Sequence, residues 1–281
     1  MRQHKRFALC VDTRIGKAWS KGLTAASDGR VARAAAAHRG LAYRRRPSQA
    51  VEWSPAIAYA VGLIATDGCL YRDGRHIAFV SKDEEQMRTF LHCIDRPHLR
   101  YRPAQSSTGS WTFRVQVSHV VLYRWLVSIG LTPRKSLVLG ALDVPPEHLS
   151  SLVRGLLDGD GSIYTGVHRP TKVRYPNYRY ERLSASFLSA SPAHVEWLRG
   201  RLRDALRIEG HVEVRRREGR TTMFRLKYGK RESLVLLANL YQDNSHPRLS
   251  RKWLKWDLYL SRHPQCRRGD LNPHALAGAS P

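Results

Sequence analysis

Two apolar segments of the chain share one pattern and end in the same Asp-Gly pair. They run from Ala60 to Gly68 and from Val153 to Gly161, and in each a glycine is followed four positions later by a second small residue. Residues four apart lie on one face of a helix, so both segments predict helices that allow close approach of two backbones. Their final acids, Asp67 and Asp160, are 93 positions apart, about the size of a small domain.

Around each motif, the hydrophobic and polar positions predict the same order of elements. Ser54-Pro55 is a typical helix start, and Asp73-Gly74 between two extended runs is a strong hairpin signal. The elements predicted after the first motif are strand His76 to Ser81, a helix from Asp83 to about Asp95, strands Leu99 to Pro103 and Trp111 to Ser118, and helix Val120 to Ile129. Those predicted for the second copy are a motif helix over 148–160, strands Ser162 to Val167 and Arg182 to Ser189, helix Pro192 to Leu206, a hairpin of His211 to Arg217 with Thr221 to Tyr228, and helix Arg231 to Tyr241. The pattern therefore predicts an α+β protein of two pseudo-symmetric αββαββα subdomains, each with an antiparallel sheet, packed through the two motif helices.

Changes in composition divide the chain into five segments. We expect residues 1–50 to form a basic N-terminal extension with an alanine-rich helix over Val31 to His38, and residues 51–131 to form the first subdomain. Residues 132–147 are the predicted linker, and residues 148–262 the second subdomain, which ends in an amphipathic helix over Arg248 to Leu260. The Pro-, Gly- and Ala-rich residues 263–281 predict a disordered tail.

The charge balance indicates a polyanionic partner. The 281 residues include 48 Lys and Arg against 23 Asp and Glu, a net charge of +25. This excess is typical of nucleic-acid-binding proteins, and a role at a membrane surface is the competing interpretation. We find neither an apolar run that could span a membrane nor a signal-peptide pattern, and we expect no membrane association.

The cysteines and histidines indicate neither a disulfide-rich protein nor a zinc protein. The four cysteines are scattered, and the 13 histidines show no metal-ligand spacing. Neither a disulfide framework nor a zinc site is indicated. We expect a reducing compartment, either the cytoplasm or an organelle or nucleoid that holds the target nucleic acid.

Asp67 and Asp160 are the candidate metal ligands. Each precedes a glycine, a common helix stop, so each carboxylate is expected at a helix C-terminus, where the helix dipole disfavours negative charge. Two such ends side by side repel unless a cation lies between them, and carboxylate and carbonyl oxygens suit Mg²⁺. For either segment alone a simple turn is the competing interpretation, but two at domain spacing favour a paired site.

The two cores, Gly62-Leu63-Ile64-Ala65-Thr66-Asp67-Gly68 and Gly155-Leu156-Leu157-Asp158-Gly159-Asp160-Gly161, resemble the signature of single-chain, two-motif LAGLIDADG homing endonucleases. The resemblance spans about residues 54–260. It implies that the motif helices form the interface between two DNA-binding saddles. It also implies that Asp67 and Asp160 are catalytic, bind Mg²⁺ or Mn²⁺, and cut both DNA strands. The family's earlier motif acid is present as Asp158 but is Ala65 in the first copy.

The same resemblance implies residues that position water and phosphate around the metal. Lys82 and Ser191 are similar to such residues at matching points of the two halves, and Lys135 and Lys252 follow each half at corresponding positions. The three lysines are thus candidate catalytic residues. A plain phosphate contact or a solvated charge is the alternative for each.

Recognition is expected from the hairpins, because a major groove admits β-ribbons. Alternating basic and polar residues on the strands, and the basic residues of the turns, are the candidate DNA-binding residues, with a solvated sheet face as the alternative. They are Arg72, Arg75, Arg114, Gln116, Ser118, Arg169, Lys172, Arg174, Arg179, Arg215, Arg217, Arg225 and Lys227.

These observations predict a site-specific double-strand DNA endonuclease that acts as a monomer on a long, asymmetric site. Metal-assisted phosphodiester hydrolysis needs no Ser, Cys or His nucleophile. Three alternatives stay open at this point. They are an RNA maturase that binds intron RNA, a DNA-binding protein that has lost cleavage, and a generic basic RNA-binding protein.

Overall fold

The computed structural model describes residues 22–40, 50–105, 109–168, 180–216, 218–243 and 245–264, which fall into two compact units, 1–49 and 50–281. In the first unit, helix α1 covers Gly29–Gly40, in agreement with the predicted helix. The Asp28 carboxylate accepts a hydrogen bond from the Arg30 backbone N–H at its start. The rest of the predicted extension and the predicted tail beyond residue 264 lie outside the described residues.

The first half of the second unit begins with the first motif helix. The Ser54 hydroxyl accepts from the Ile57 N–H at 3.2 Å, and Pro55 occupies the first turn, where its missing N–H costs nothing. The elements of this half are α2 (Pro55–Asp67), β1 (Gly68–Leu70), β2 (His76–Ser81), α3 (Glu84–Cys93), β3 (Arg102–Gln105), β4 (Trp111–Ser118) and α4 (Val120–Ser128).

The second half repeats this order. After a 3₁₀ turn at Pro146–His148, its elements are α5 (Leu149–Asp158), β5 (Ser162–His168), β6 (Tyr180–Ser189), α6 (Pro192–Leu206), β7 (His211–Arg215), β8 (Met223–Tyr228) and α7 (Lys230–Leu240). A last helix, α8 (Ser250–Arg262), follows. The predicted α+β fold with two αββαββα halves is therefore confirmed.

Several element bounds differ from the prediction by one to three residues, and three of them bear on the site or have a clear cause. Helix α5 ends at Asp158, two residues before Asp160, because the Gly159 N–H makes the closing bond to the Gly155 carbonyl. Strand β3 begins at Arg102, since residues 94–99 are used in turns, with Asp95 at a φ of 53°. Helix α8 begins two residues after Arg248.

Each half contains one four-stranded antiparallel sheet, with strand orders β1-β2-β4-β3 and β5-β6-β8-β7. Alternation along the strands separates two faces. On β4, Val115 and Val117 are buried against the core, while Arg114, Gln116 and Ser118 are exposed on the opposite face. We call that second face of each sheet its outer face.

The two motif helices, α2 and α5, pack with their backbones in contact. A Cβ atom added to Gly62 would lie 2.3 Å from the Leu152 carbonyl oxygen, and one added to Gly155 would lie 2.2 Å from the Tyr59 carbonyl oxygen. Only glycine fits both positions, which explains the small-residue pattern of the sequence. None of the helices within the described ranges is long and apolar enough to cross a membrane.

Replacing Gly155 by leucine should destabilise the protein by about 3 kcal/mol, because the side chain must force the two backbones apart. Denaturant unfolding of Gly155→Leu measures the loss. The control is Gly200→Ala on α6, where an added Cβ meets no atom within 4 Å. It should leave the stability unchanged or raise it by about 0.5–1 kcal/mol. Equal stability of the two variants would show that the helices do not pack in this way.

Candidate metal centre and nucleic-acid interface

Asp67 and Asp160 lie where the two motif helices end side by side. Asp67 is the last residue of α2, and Asp160 lies in the turn between α5 and β5. The close helix contact continues to this point, since a Cβ added to Gly159 would lie 2.0 Å from Thr66 Oγ1 and 3.0 Å from Asp67 Oδ2. Asp67 is half-buried and Asp160 is exposed.

The charge of Asp160 influences the ionisation of Asp67, and the same two lysines act on both carboxylates. Burial, followed by the charge of Asp160, raises the pKa of Asp67 to about 6, and Lys252 and Lys135 oppose the shift. The surrounding protein also desolvates Asp160 and raises its pKa, again against the two lysines. Two acids and two lysines thus form one electrostatic cluster at the helix ends. The sequence analysis predicted that two acids placed there would need positive charge beside them.

Lys135 and Lys252 cap the C-termini of the two motif helices. Lys252 Nζ donates to the carbonyl oxygens of four residues of the α5 end at 2.5–3.1 Å, namely Leu157, Asp158, Gly159 and Gly161. Lys135 Nζ donates to the carbonyl oxygens of Gly68 at 2.6 Å and Thr66 at 3.5 Å. Both lysines are buried, and burial lowers the pKa of Lys252 to about 8. They bind main-chain oxygens that a helix end otherwise leaves without partners, and so they position the acids. Their predicted catalytic role stays a prediction.

Asp158, the acid present only in the second motif, is a structural link. Its Oδ2 accepts hydrogen bonds from Tyr59 Oη at 2.9 Å and from the Leu249 N–H at 2.8 Å. Tyr59 belongs to α2, and Leu249 precedes α8, which carries Lys252. Burial raises the pKa of Asp158 to about 6. The sequence analysis assigned this residue no role, although its presence in one copy alone was a signal that the two halves differ at this position.

Lys82 and Ser191 do not occupy matching places, and that part of the prediction is wrong. Ser81 Oγ accepts from the Asp83 N–H at 3.0 Å, and Ser189 Oγ accepts from the Ser191 N–H at 3.1 Å. Ser191 therefore corresponds to Asp83, and Lys82 corresponds to Ala190. Lys82 is exposed in a cleft that also contains Asp67, whereas Ser191 is buried and caps α6.

The outer face of the first sheet carries several predicted DNA-binding residues. Arg114, Gln116 and Ser118 are exposed there, and Arg114 Nη2 donates to Tyr71 Oη at 2.7 Å. Arg72 and Arg75 are exposed in the turn between β1 and β2. The structure thus brings these five residues to one sheet and its first hairpin.

The outer face of the second sheet carries Arg225, Lys227 and Arg215, around an acid that the sequence analysis missed. Glu213 lies 3.3 Å from Lys227, 3.6 Å from Arg215 and 3.8 Å from Arg225. Glu213 lies opposite Arg225 because of the register between β7 and β8. The alternation of residues along β8 alone does not specify that register. The remaining predicted DNA-binding residues lie outside the described residues: Arg169, Lys172, Arg174, Arg179 and Arg217.

The second sheet is also concave on its outer side. A cavity of about 510 Å³ lies beside the basic cluster, with Tyr164, Arg182, Arg225 and Lys227 among its lining residues. Tyr164 is 55% exposed, so an aromatic ring lies next to three cationic side chains without a protein partner covering it. An exposed aromatic ring beside cationic side chains suits a polyanion that also presents flat or apolar groups, since the cations can bind its charges and the ring can contact those groups.

Each acid lies beside one sheet, and Asp67 opens onto the outer face of the first. The cleft that contains Asp67 is also lined by Val80 and Thr112, which share the outer face with Arg114. The cleft that contains Asp160 is lined by Leu188, the neighbour of Arg225 in the register. Two packed motif helices thus place one acid at the edge of each sheet. This is the arrangement that the resemblance of the two motifs to two-motif LAGLIDADG proteins implies.

Comparison with solved structures finds LAGLIDADG proteins. The chain is similar to the I-LtrWI LAGLIDADG homing endonuclease bound to target DNA, with 12% identity and a TM-score of 0.47, over 79% of this chain and 94% of that one. It is similar to I-DmoI in complex with DNA and Mn, with 14% identity and a TM-score of 0.43, over 68% and 98%. It is also similar to the N-terminal LAGLIDADG domain of WhiA, with 15% identity and a TM-score of 0.45, over 69% and 85%.

No family model and no curated protein matches the chain. The structural similarities are low both in sequence identity and in TM-score. The function of this chain therefore has to be inferred from its own residues and their arrangement.

Substituting Lys252 by methionine should destabilise the protein by about 3 kcal/mol, because several buried carbonyl oxygens lose their donor. The matched control is Lys255→Met, which removes an exposed lysine from the same helix that donates to one carbonyl, Ile163 O, at 3.2 Å. Its loss should stay within about 0.5 kcal/mol. Urea unfolding compares them. A similar midpoint for both variants would contradict the capping role of Lys252.

Proposed function

We propose that this protein is a divalent-metal-dependent DNA endonuclease that cuts both strands of a long, asymmetric site as a monomer. One observation carries the proposal: two acids lie at the ends of two helices in backbone contact, and each acid lies just before the first strand of a sheet whose outer face carries arginine or lysine. A duplex that lies across both outer faces passes both acids.

The charge and shape of the sheets support a double-stranded DNA partner. A two-stranded β-ribbon fits into a major groove, and Arg, Lys and Gln side chains can hydrogen-bond to base edges there. Two sheets side by side cover about two turns of the helix, or about 20 bp. Since Arg114 and Gln116 lie on one sheet and Arg225, Lys227 and Glu213 on the other, the two half-sites should differ in sequence.

The donor atoms at the helix ends suit a hard divalent ion. The described residues contain no group of three or more His, Cys, Asp or Glu side chains that could hold a metal alone. Asp67 and Asp160 supply carboxylate oxygens to Mg²⁺ or Mn²⁺, and water and DNA phosphate oxygens have to complete the coordination. When bound, such an ion supplies a water of lowered pKa and stabilises the negative charge that develops at phosphorus.

The protein's own residues then have separate tasks. Asp67 and Asp160 would hold the ion, while Lys135 and Lys252 fix the helix ends near the two acids. Lys82 is exposed and lines the Asp67 cleft, where its ammonium group can contact a phosphate. The exposed arginines of both sheets fix the register of the duplex.

Asp67→Asn and Asp160→Asn should each abolish double-strand cleavage, because each removes a charged ligand, while DNA binding is largely retained. The substrate is a duplex recovered by binding selection from a randomised library. Cleavage is measured with magnesium, and binding is measured in EDTA by fluorescence anisotropy. Asp95→Asn is the control, since Asp95 is fully exposed and asparagine tolerates its positive φ.

Wild-type cleavage rates in both Asn variants would refute the metal site. If the wild-type protein binds the selected duplex but magnesium produces no cutting, the fold serves DNA binding without cleavage.

DNA binding should weaken steeply with salt, with a slope of log K against log[salt] of about −5 or steeper.

Arg225→Ala should relax the base preference in one half-site only, because Arg225 lies on one sheet. Glu213→Gln keeps the shape but removes the charge, and it should alter the preference at the same base pairs. Repeating the binding selection with each variant measures both effects. A nearly flat salt response, or a short palindromic site bound by a dimer, would contradict the proposal.

A further inference from the structure

The outer face of the second sheet contains an acid, which is unexpected on a surface for a polyanion. Within the described ranges, the strands of the two sheets contain two acidic residues, Glu181 and Glu213. Glu181 alternates with the buried Leu183 on the core side of its sheet, and Arg262 of α8 lies 3.2 Å from it. Glu213 lies on the outer face instead. Its carboxylate repels the phosphates of any bound DNA, so its presence there needs a reason.

The matching position in the first sheet is an arginine. The two serine hydroxyls that accept from the backbone before α3 and α6 align the two halves, and this alignment makes Arg114 and Arg225 equivalent. Arg114 lies opposite Arg102 on the neighbouring strand, and Arg225 lies opposite Glu213. Glu213 therefore takes the place of Arg102. One sheet has two cations in this cross-strand pair, and the other has a cation and an anion.

Three cations surround the Glu213 carboxylate. Its Oε1 accepts from Lys227 Nζ at 3.3 Å, while its Oε2 lies 3.6 Å from Arg215 and 3.8 Å from Arg225. Burial alone would raise the pKa of Glu213, but the hydrogen bond from Lys227 and the charges of the three cations lower it below its ordinary value. At neutral pH the group therefore accepts hydrogen bonds and does not donate them. Both guanidinium distances are long for hydrogen bonds, and they leave Oε2 able to accept another one.

The register gives Glu213 and Arg225 a common direction. Side chains directly opposite each other on antiparallel strands have Cβ atoms about 4.5–5.5 Å apart. The strands of a ribbon follow the groove that they occupy, so two opposite residues face the two sides of that groove. An acceptor and a donor are thus presented together to the two bases of one pair.

We propose that Glu213 and Arg225 together read one G·C base pair, with Arg225 binding the guanine and Glu213 binding the cytosine. This proposal rests on the proposed endonuclease function and names a base pair in the half-site that the second sheet covers. Guanine presents the acceptors N7 and O6 to the major groove, and cytosine presents the N4 amino group. Arg225 supplies N–H donors to the first base, and Glu213 accepts from the amino group of the second.

The same two side chains rank the other three base pairs. Thymine at Arg225 with adenine at Glu213 ranks second, since thymine O4 accepts one bond and adenine N6 donates one. Adenine at Arg225 with thymine at Glu213 ranks third, because thymine O4 meets the carboxylate while adenine N7 still accepts. Cytosine at Arg225 with guanine at Glu213 ranks last, because an amino group meets the arginine and two acceptors meet the carboxylate.

The test is equilibrium binding in EDTA to a duplex recovered by binding selection, with all four base pairs placed in turn at each position. At one position, wild-type binding should follow this ranking, with about 10- to 100-fold between the first and the last pair. Glu213→Gln should strengthen binding of the disfavoured pairs at that position only, because an amide can donate to thymine O4 or guanine O6. Glu196→Gln removes the same charge from the exposed surface of α6 and should leave the ranking unchanged.

Two exchanges of residues test the direction of the contact. Glu213→Arg combined with Arg225→Glu keeps the ion pair but reverses the donor and the acceptor, so the double variant should prefer the reversed pair, C·G. Arg102→Glu places an acid at the matching position of the first sheet, opposite Arg114. It should impose the same G·C preference on one position of the other half-site.

A change in the DNA alone tests the contact in the unmodified protein. The cytosine of the preferred pair is replaced by an analogue that lacks the 4-amino group. The wild-type protein should bind this duplex about 10-fold more weakly, and Glu213→Ala should bind both duplexes equally.

The outcomes separate this proposal from the proposed function. Equal binding of the two duplexes by the wild-type protein, or an equal effect of Glu213→Gln on every base pair, would show that Glu213 only balances charge. Either result overturns the base-pair assignment and leaves the endonuclease proposal standing, because DNA is still bound. A wild-type protein that binds no duplex would overturn both.

Discussion

The backbone contact between the two motif helices is the constraint on which the rest of the structure depends. Because Gly62 and Gly155 have no side chains, the helices approach until carbonyl oxygens meet the facing backbone. Their ends then lie side by side, and this brings Asp67 and Asp160 to the same region of the protein. The same contact fixes the spacing of the two sheets, since α2 leads directly into β1 and α5 leads into β5 through a short turn.

This contact brings two negative helix ends together, and the structure offsets the repulsion with groups from outside the repeats. Lys135 comes from the linker and Lys252 from α8, and each binds carbonyl oxygens at one helix end. Asp158 holds the start of α8 through the Leu249 N–H. The linker and α8 are thus parts of the central site, although neither belongs to a sheet.

The fold could be predicted from the sequence because its signals are local. The hairpins, helix caps and small-residue stripes each depend on a few neighbouring residues, such as Ser54-Pro55 or Asp73-Gly74. The site was harder to predict, because a one-residue error in the alignment of the two halves assigned Ser191 the place of Ala190. Only the matching hydrogen bonds to the backbone reveal the correct pairing. The pairing of Glu213 with Arg225 depends on the register of β7 against β8, which no local pattern specifies.

The distance along the chain between α5 and Lys252 has a consequence for synthesis on the ribosome. Domains fold as they emerge, N-terminal parts first. A nascent chain that has not yet reached α8 has both motif acids and both sheets, but it lacks the lysine at the α5 end and the hydrogen bond from Leu249 to Asp158. The central site is complete only when α8 has emerged. For an endonuclease of the proposed kind, the centre would thereby stay incomplete until both sheets have been made.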